Sequence, residues 1–135
     1  MLRLFGAQIG ASVHIYPTAR IAIPWNLQVE DYVAIGDHAI IYSLGKIHLK
    51  ARATVSQYAH LCAGTHDWRD KAMPLLKPPI TIGEDVWICA EAFVGPGVHV
   101  AARAIVGARA VVTKDIDADQ IVVGNPARQI GLRQP

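Results

Sequence analysis

The side chains in this sequence best suited to chemistry are its imidazoles and thiols: His14, His38, His48, His60, His66, His99, Cys62 and Cys89. His66 stands apart because it lies in Gly64-Thr65-His66-Asp67, just before a segment carrying Trp68, Arg69, Lys71, Pro74, Pro78 and Pro79. An imidazole ordinarily titrates at about 6.5, so near neutrality it is largely uncharged and can take a proton from a poor nucleophile such as an alcohol. His66 is therefore a candidate general base. Asp67 follows it directly, but adjacent side chains on an extended chain point to opposite sides, so Asp67 is poorly placed to orient the ring. His60 precedes His66 by six residues, which raises a metal site as a second possibility, since zinc takes three or four N or S ligands. The two cysteines read as reduced thiols in a chain apolar enough to fold without staples.

What must position these residues is visible as a repeat. From Ile82 onward, Ile82, Ile88, Val94, Val100, Val106 and Val112 recur at a step of six. The fifth slot repeats too, as Val86, Ala92, Val98, Ala104, Ala110 and Ile116. Neither a helical nor a simple strand period gives this pattern. A three-sided coil does: each side holds a short strand, each corner turns the chain inward, and residues 18 apart stack in parallel. The earlier half keeps the rhythm as Ile9, Ile15, Ile21, then Val29, Ile35, Ile41, then Leu49, Val55, Leu61, with the two steps of eight read as corner bulges. The fold expected is an all-β parallel β-helix of about five coils, about 24 Å tall at the usual strand spacing, forming a single domain over residues 1–135. A long protruding loop is expected at about Asp67–Thr81, and a C-terminal cap at about 118–135, where Gly124-Asn125-Pro126 breaks the period.

Composition narrows the function. The chain has 135 residues, 52% hydrophobic and 18% charged, with a net charge of +2, enough apolar surface for a core and too little clustered basic charge for a nucleic-acid partner. No apolar run approaches the roughly 18 residues of a membrane span, and no secretory leader is evident, so a cytoplasmic protein without membrane insertion is expected.

The sequence resembles the hexapeptide-repeat acyltransferases, most closely the O-acetyltransferases of the colanic-acid and maltose/galactoside type. The likeness covers nearly the whole chain. It is carried by Leu2-Arg3-Leu4-Phe5-Gly6-Ala7, Pro24-Trp25-Asn26-Leu27, Val55-Ser56-Gln57, Gly64-Thr65-His66-Asp67, Ile80-Thr81-Ile82-Gly83 through Val86-Trp87-Ile88, and Gly124-Asn125-Pro126-Ala127. The resemblance implies a left-handed coil, a homotrimer, and acetyl-CoA lying between adjacent prisms with a sugar acceptor entering near the loop, no metal being required. It implies His66 as the catalytic base and the main-chain N–H of Ala90 as the oxyanion donor. It further implies that Trp87 flanks the acyl arm, that Gly107 and Ala108 line the pantetheine groove, and that Thr113, Lys114 and Arg128 meet the CoA phosphates. Asp67 and Tyr42 are assigned to the acceptor side.

Three departures from the family pattern are evident. Longer relatives carry a segment ahead of the Leu2–Gly6 stretch, Ser43 follows Tyr42 where an asparagine is common, and Ala101 replaces a frequent glycine. Two other readings remain open at this point. Hexapeptide trimers also include zinc-dependent gamma-type carbonic anhydrases, and a trimer that has lost activity would be a non-catalytic scaffold.

Overall fold

The computed structural model describes residues 1–135, which wind into a three-faced parallel β-solenoid. The first face stacks β1 (Gln8–Ile9), β4 (Leu27–Val29), β7 (Ile47–Leu49), β12 (Ile80–Ile82) and β15 (His99–Val100). The second stacks β2 (His14–Ile15), β5 (Ala34–Ile35), β8 (Thr54–Val55), β13 (Trp87–Ile88), β16 (Ile105–Val106) and β18 (Gln120–Val123). The third stacks β3 (Arg20–Ile21), β6 (Ile40–Tyr42), β9 (His60–Cys62), β14 (Phe93–Val94) and β17 (Val111–Val112). Two antiparallel additions complete it: a hairpin of β10 (Thr65–His66) and β11 (Leu75–Leu76), and β19 (Arg128–Leu132) folded back on β18.

The repeat explains the stacking. Ile82 pairs with Val100, Ile88 with Val106 and Val94 with Val112, the three vertical neighbours that the spacing of 18 requires. The slipped half obeys the same columns, with Ile9 under Val29 under Leu49 under Ile82 on the first face. The inward side chains form one core of 28 buried residues, and burial of each large aliphatic contributes about 1.5–3 kcal/mol. Five complete coils are followed by part of a sixth, because Ile116 bridges Val100 and β18 continues the second face on β16. Coiling thus runs on through Val122, and β18 serves both as the last rung of the second face and as the first arm of the terminal hairpin.

Corners are built from the fourth slot. Ten coil residues there, among them Tyr32, Arg52, Asp85, Glu91, Arg103 and Arg109, take φ between 54° and 64°. A left-handed conformation costs a non-glycine residue about 1–2 kcal/mol, offset in part by a vertical hydrogen bond. Eight of these N–H groups donate to the third-slot carbonyl one coil below, as in Glu91 N–H to Gln57 O at 3.1 Å and Arg109 N–H to Ala90 O at 2.9 Å, while His38 N–H donates to Thr18 Oγ1 instead.

Every interruption of the period falls on one edge, between the third and first faces. There the two steps of eight add a residue to β4 and β7, and Leu27, Ile47 and Ile80 pair vertically as a short fourth column, all fully buried. The long excursion leaves from the same edge, at Gly64, and returns with Ile80 already in β12, so its span is shifted by about two residues toward the N-terminus of the expected Asp67–Thr81 loop. No α-helix is present, and no helix is long and apolar enough to cross a membrane.

Candidate active site

His66 lies on the hairpin itself, in β10 opposite Leu75 of β11. Its ring is exposed, and Nδ1 sits 2.6 Å from the carbonyl oxygen of Met73. A carbonyl can only accept, so Nδ1 carries the hydrogen and Nε2 is left with a bare lone pair. That tautomer is the one a base needs, and it is set by a backbone atom. The carbonyl is aimed by an unusual residue: Met73 takes φ of 49°, a conformation that a long side chain adopts only when its surroundings impose it.

Asp67 does not orient His66, as expected from the alternation of side chains. Its N–H donates to Pro74 O at 3.0 Å and its carboxylate accepts the N–H of Arg69 at 3.1 Å, closing the turn of the hairpin. Tyr42 stands at the root of the hairpin, close against Gly64 and edge-on to the ring of His60. Ser43 is fully buried, and its hydroxyl both accepts from Ile23 N–H at 3.0 Å and donates to Ile23 O at 2.9 Å. The departure at Ser43 therefore serves the core and offers nothing to a ligand.

The other assigned residues form two groups. Trp87 lies in β13 on the second face, and Ala90, Gly107 and Ala108 lie along the edge between the second and third faces, following β13 and β16. The Trp87 indole N–H donates to Ser56 Oγ at 2.9 Å, which fixes the ring while leaving it exposed. The N–H of Ala90 donates to no group of the chain. Glu84, Ala102 and Ala108 occupy equivalent corners and share that property, so the free amide is a product of the corner geometry. At Gly107 a β-carbon would lie 2.6 Å from Val123 Cγ1, so any larger residue there would displace the Val123 side chain. Thr113, Lys114 and Arg128 line one small recess with Ala127, where the C-terminal turn meets the end of β17. Neither cation there is paired with a carboxylate, so the recess offers a hydroxyl and two free positive charges to an anion such as a phosphate.

His66 and Ala90 are not brought together within one chain. The hairpin springs from the edge between the third and first faces, whereas Ala90 lies on the edge between the second and third. No three His, Cys, Asp or Glu side chains converge as metal ligands within the chain, and His60 does not face His66 as a co-ligand. Its Nε2 is buried without a partner, its ring is packed edge-on against Phe93 at 5.3 Å, and burial pushes its pKa down. Three acids of the coil are engaged singly: Asp85 with Arg52, Glu91 with Arg109, and Asp115 with the N–H of His99. The Arg52 guanidinium holds the Asp85 carboxyl below the usual carboxylate range.

Comparison with known proteins bears on the family and the fold. Residues 79–114 match the family described as bacterial transferase hexapeptide (six repeats). A protein of Escherichia coli (strain K12) that carries the name colanic acid biosynthesis acetyltransferase WcaF is 42% identical over 127 residues, 94% of this chain and 70% of that protein. The galactoside O-acetyltransferase of the same organism is 31% identical over 93% of this chain and 55% of its own length. Among solved structures, a maltose O-acetyltransferase from Clostridium difficile 630 superposes with a TM-score of 0.91 at 24% identity, covering 99% of this chain and 73% of that one. A galactoside acetyltransferase in complex with coenzyme A superposes with a TM-score of 0.83 at 22% identity, covering 98% and 68%.

Proposed function

The chain belongs to the hexapeptide-repeat acetyltransferases, of the sugar O-acetyltransferase type, and from that premise we propose that it moves an acetyl group from acetyl-CoA to a saccharide hydroxyl with His66 as general base. The observation that carries this reading is the hydrogen bond from His66 Nδ1 to Met73 O, which leaves Nε2 free to accept. The acceptor's O–H proton passes to Nε2 while its oxygen attacks the thioester carbonyl. The developing oxyanion is met by the unpaired Ala90 N–H, a donor already oriented by a rigid coil and therefore effective without reorganisation. The carbon–sulfur bond then breaks, and the imidazolium returns its proton to the departing thiolate.

The separation of His66 and Ala90 on different edges gives this reading its quaternary form: a neighbouring copy supplies the Ala90 edge to the His66 hairpin, and a closed ring of three copies repeats that junction three times around an axis. Trp87, Gly107 and Ala108 would follow the pantetheine arm, and Thr113, Lys114 and Arg128 would hold the phosphates in their recess. Tyr42 and Asp67, at the root and the turn of the hairpin, border the acceptor side. Free thiols at Cys62 and Cys89 fit a cytoplasmic setting.

The test is CoA release from acetyl-CoA in the presence of a panel of saccharides. Replacing His66 by alanine is expected to lower kcat by about 10²–10⁴ with the melting temperature nearly unchanged, since an exposed side chain making one hydrogen bond is lost. Full activity in His66→Ala would end the assignment.

A further inference from the structure

The turn of the hairpin presents a surface that the steps above do not use. Trp68 is 73% exposed, and Met73, Leu75 and Leu76 on the same hairpin are each more than 40% exposed. Arg69 stacks its guanidinium over one face of the Trp68 ring, 5.0 Å from the centroid. No carboxylate pairs with that guanidinium. The nearby acids are committed to the turn: Asp67 accepts from Arg69 N–H, Asp70 accepts from Ala72 N–H at 2.9 Å, and Asp70 O accepts from Met73 N–H at 2.9 Å. The turn is therefore a preformed element that holds an open indole face beside an unoccupied five-donor fork.

We propose that Trp68 and Arg69 are the acceptor platform and that the acceptor is an anionic saccharide. The apolar face of a pyranose packs on the exposed indole, whose face carries the negative end of its quadrupole toward the sugar's C–H groups. A carboxylate or phosphate on that saccharide takes the guanidinium fork, whose planar geometry matches both anions bidentately. Trp68 is two residues from His66, so their Cα atoms lie within about 7 Å, and a ring seated on the indole holds hydroxyls within reach of Nε2. Asp67 and Asp70 would repel an anion, but Lys71 and Lys77 on the same excursion outweigh them with Arg69. The inference rests on the acetyl-transfer reading for the fate of the bound sugar and is independent of it for the binding.

The experiment is a calorimetric or saturation-transfer titration of the full chain with methyl glucoside, methyl glucuronide and glucose 1-phosphate. The wild type should bind the two anionic sugars about tenfold more tightly than the neutral one, the gain expected of one charge-assisted contact. The order of the two anions then tells a uronate from a phosphate ester as the natural group. Arg69→Gln should bring both anions to the affinity of methyl glucoside, Arg69→Lys should fall between, and Trp68→Ala should weaken all three. Equal affinity for neutral and anionic sugars, no binding of either anion, or an Arg69→Gln loss that extends to methyl glucoside overturns the proposal. Tight, charge-dependent binding without CoA release would sink acetyl transfer and leave the platform standing. Turnover without any preference for charge would do the reverse.

Discussion

Placement of the imidazole proposed as the base, that of His66, depends on a glycine far from it in sequence. The hairpin's return arm lies against Gly45, where a β-carbon would stand 2.4 Å from the carbonyl oxygen of Lys77 and 2.9 Å from its carbonyl carbon. Ordinary contact requires the oxygen to move by about 1 Å, and a close-packed coil offers little room on the other side. Gly45 itself cannot yield easily, since its N–H donates to Ala63 O at 2.8 Å within the stacked coils. The movement therefore passes to the hairpin. Lys77 directly follows β11, and β11 pairs Leu75 with His66, so a shift at Lys77 is carried across one rung to the imidazole. A misplacement of about 1 Å at a catalytic group can cost on the order of 10² in rate, and overpacking of this kind costs about 1–3 kcal/mol in stability. Gly45→Ala should therefore lower kcat for CoA release by up to about 10², with a modest drop in melting temperature. KM for acetyl-CoA should hardly change, because the residues assigned to CoA lie on another edge and at the C-terminal turn. The matched control is Gly131→Ala, where an added β-carbon meets nothing within 4 Å, and no effect is expected. Wild-type kcat in Gly45→Ala, or an equal loss in both variants, would refute the link between the glycine, the hairpin and the imidazole.

Other consequences can be measured directly. Ile88 is fully buried between Val55 and Val106, so Ile88→Ala should cost about 2–5 kcal/mol by urea denaturation, against about 0.5 kcal/mol or less for the exposed Ile130→Ala. His60 has its pKa lowered by burial, so the unfolded chain binds its proton more readily than the folded one. Stability from this site is full above the unfolded value of about 6.5 and falls as the pH drops through that value toward the lowered one. His60→Leu should flatten the loss on acidification between pH 6.5 and 5, and an unchanged slope would show that the ring is not buried as described.

The coil was readable because its signal is a side-chain type at a fixed interval, and burial enforces that type at every rung. Ile82, Ile88, Val94 and their successors could be assigned to columns before any coordinates were known. The two steps of eight were harder. An eight-residue step marks extra residues at a corner without saying whether they bulge outward or lengthen a strand. The structure lengthens the strand, and Leu27, Ile47 and Ile80 form a column of their own because three consecutive coils make the same choice at the same edge. The root of the excursion was misplaced for a related reason. Gly64-Thr65-His66 continues the spacing from Leu61, yet antiparallel pairing of Thr65 and His66 with Leu76 and Leu75 outcompetes another rung of the coil.

At the site, the sequence located side chains and was blind to backbone. The groups that would prepare the proposed chemistry are the Met73 carbonyl, which fixes the tautomer of His66, and the Ala90 amide, and neither depends on the identity of its residue. The fourth-slot N–H of one coil takes the third-slot carbonyl of the coil below, so the third-slot amide is released at corner after corner, at Glu84, Ala90, Ala102 and Ala108 alike. A solenoid of this kind therefore carries a ladder of oriented, unpaired donors as a by-product of stacking. Which rung becomes catalytic is decided by what lies opposite it. In a single prism the His66 hairpin stands on a different edge, so in the proposed trimer the choice of Ala90 would follow from the height at which a neighbouring copy sets its own hairpin. Moving that hairpin by one coil, rather than altering Ala90, is the change that would hand the oxyanion to Ala108.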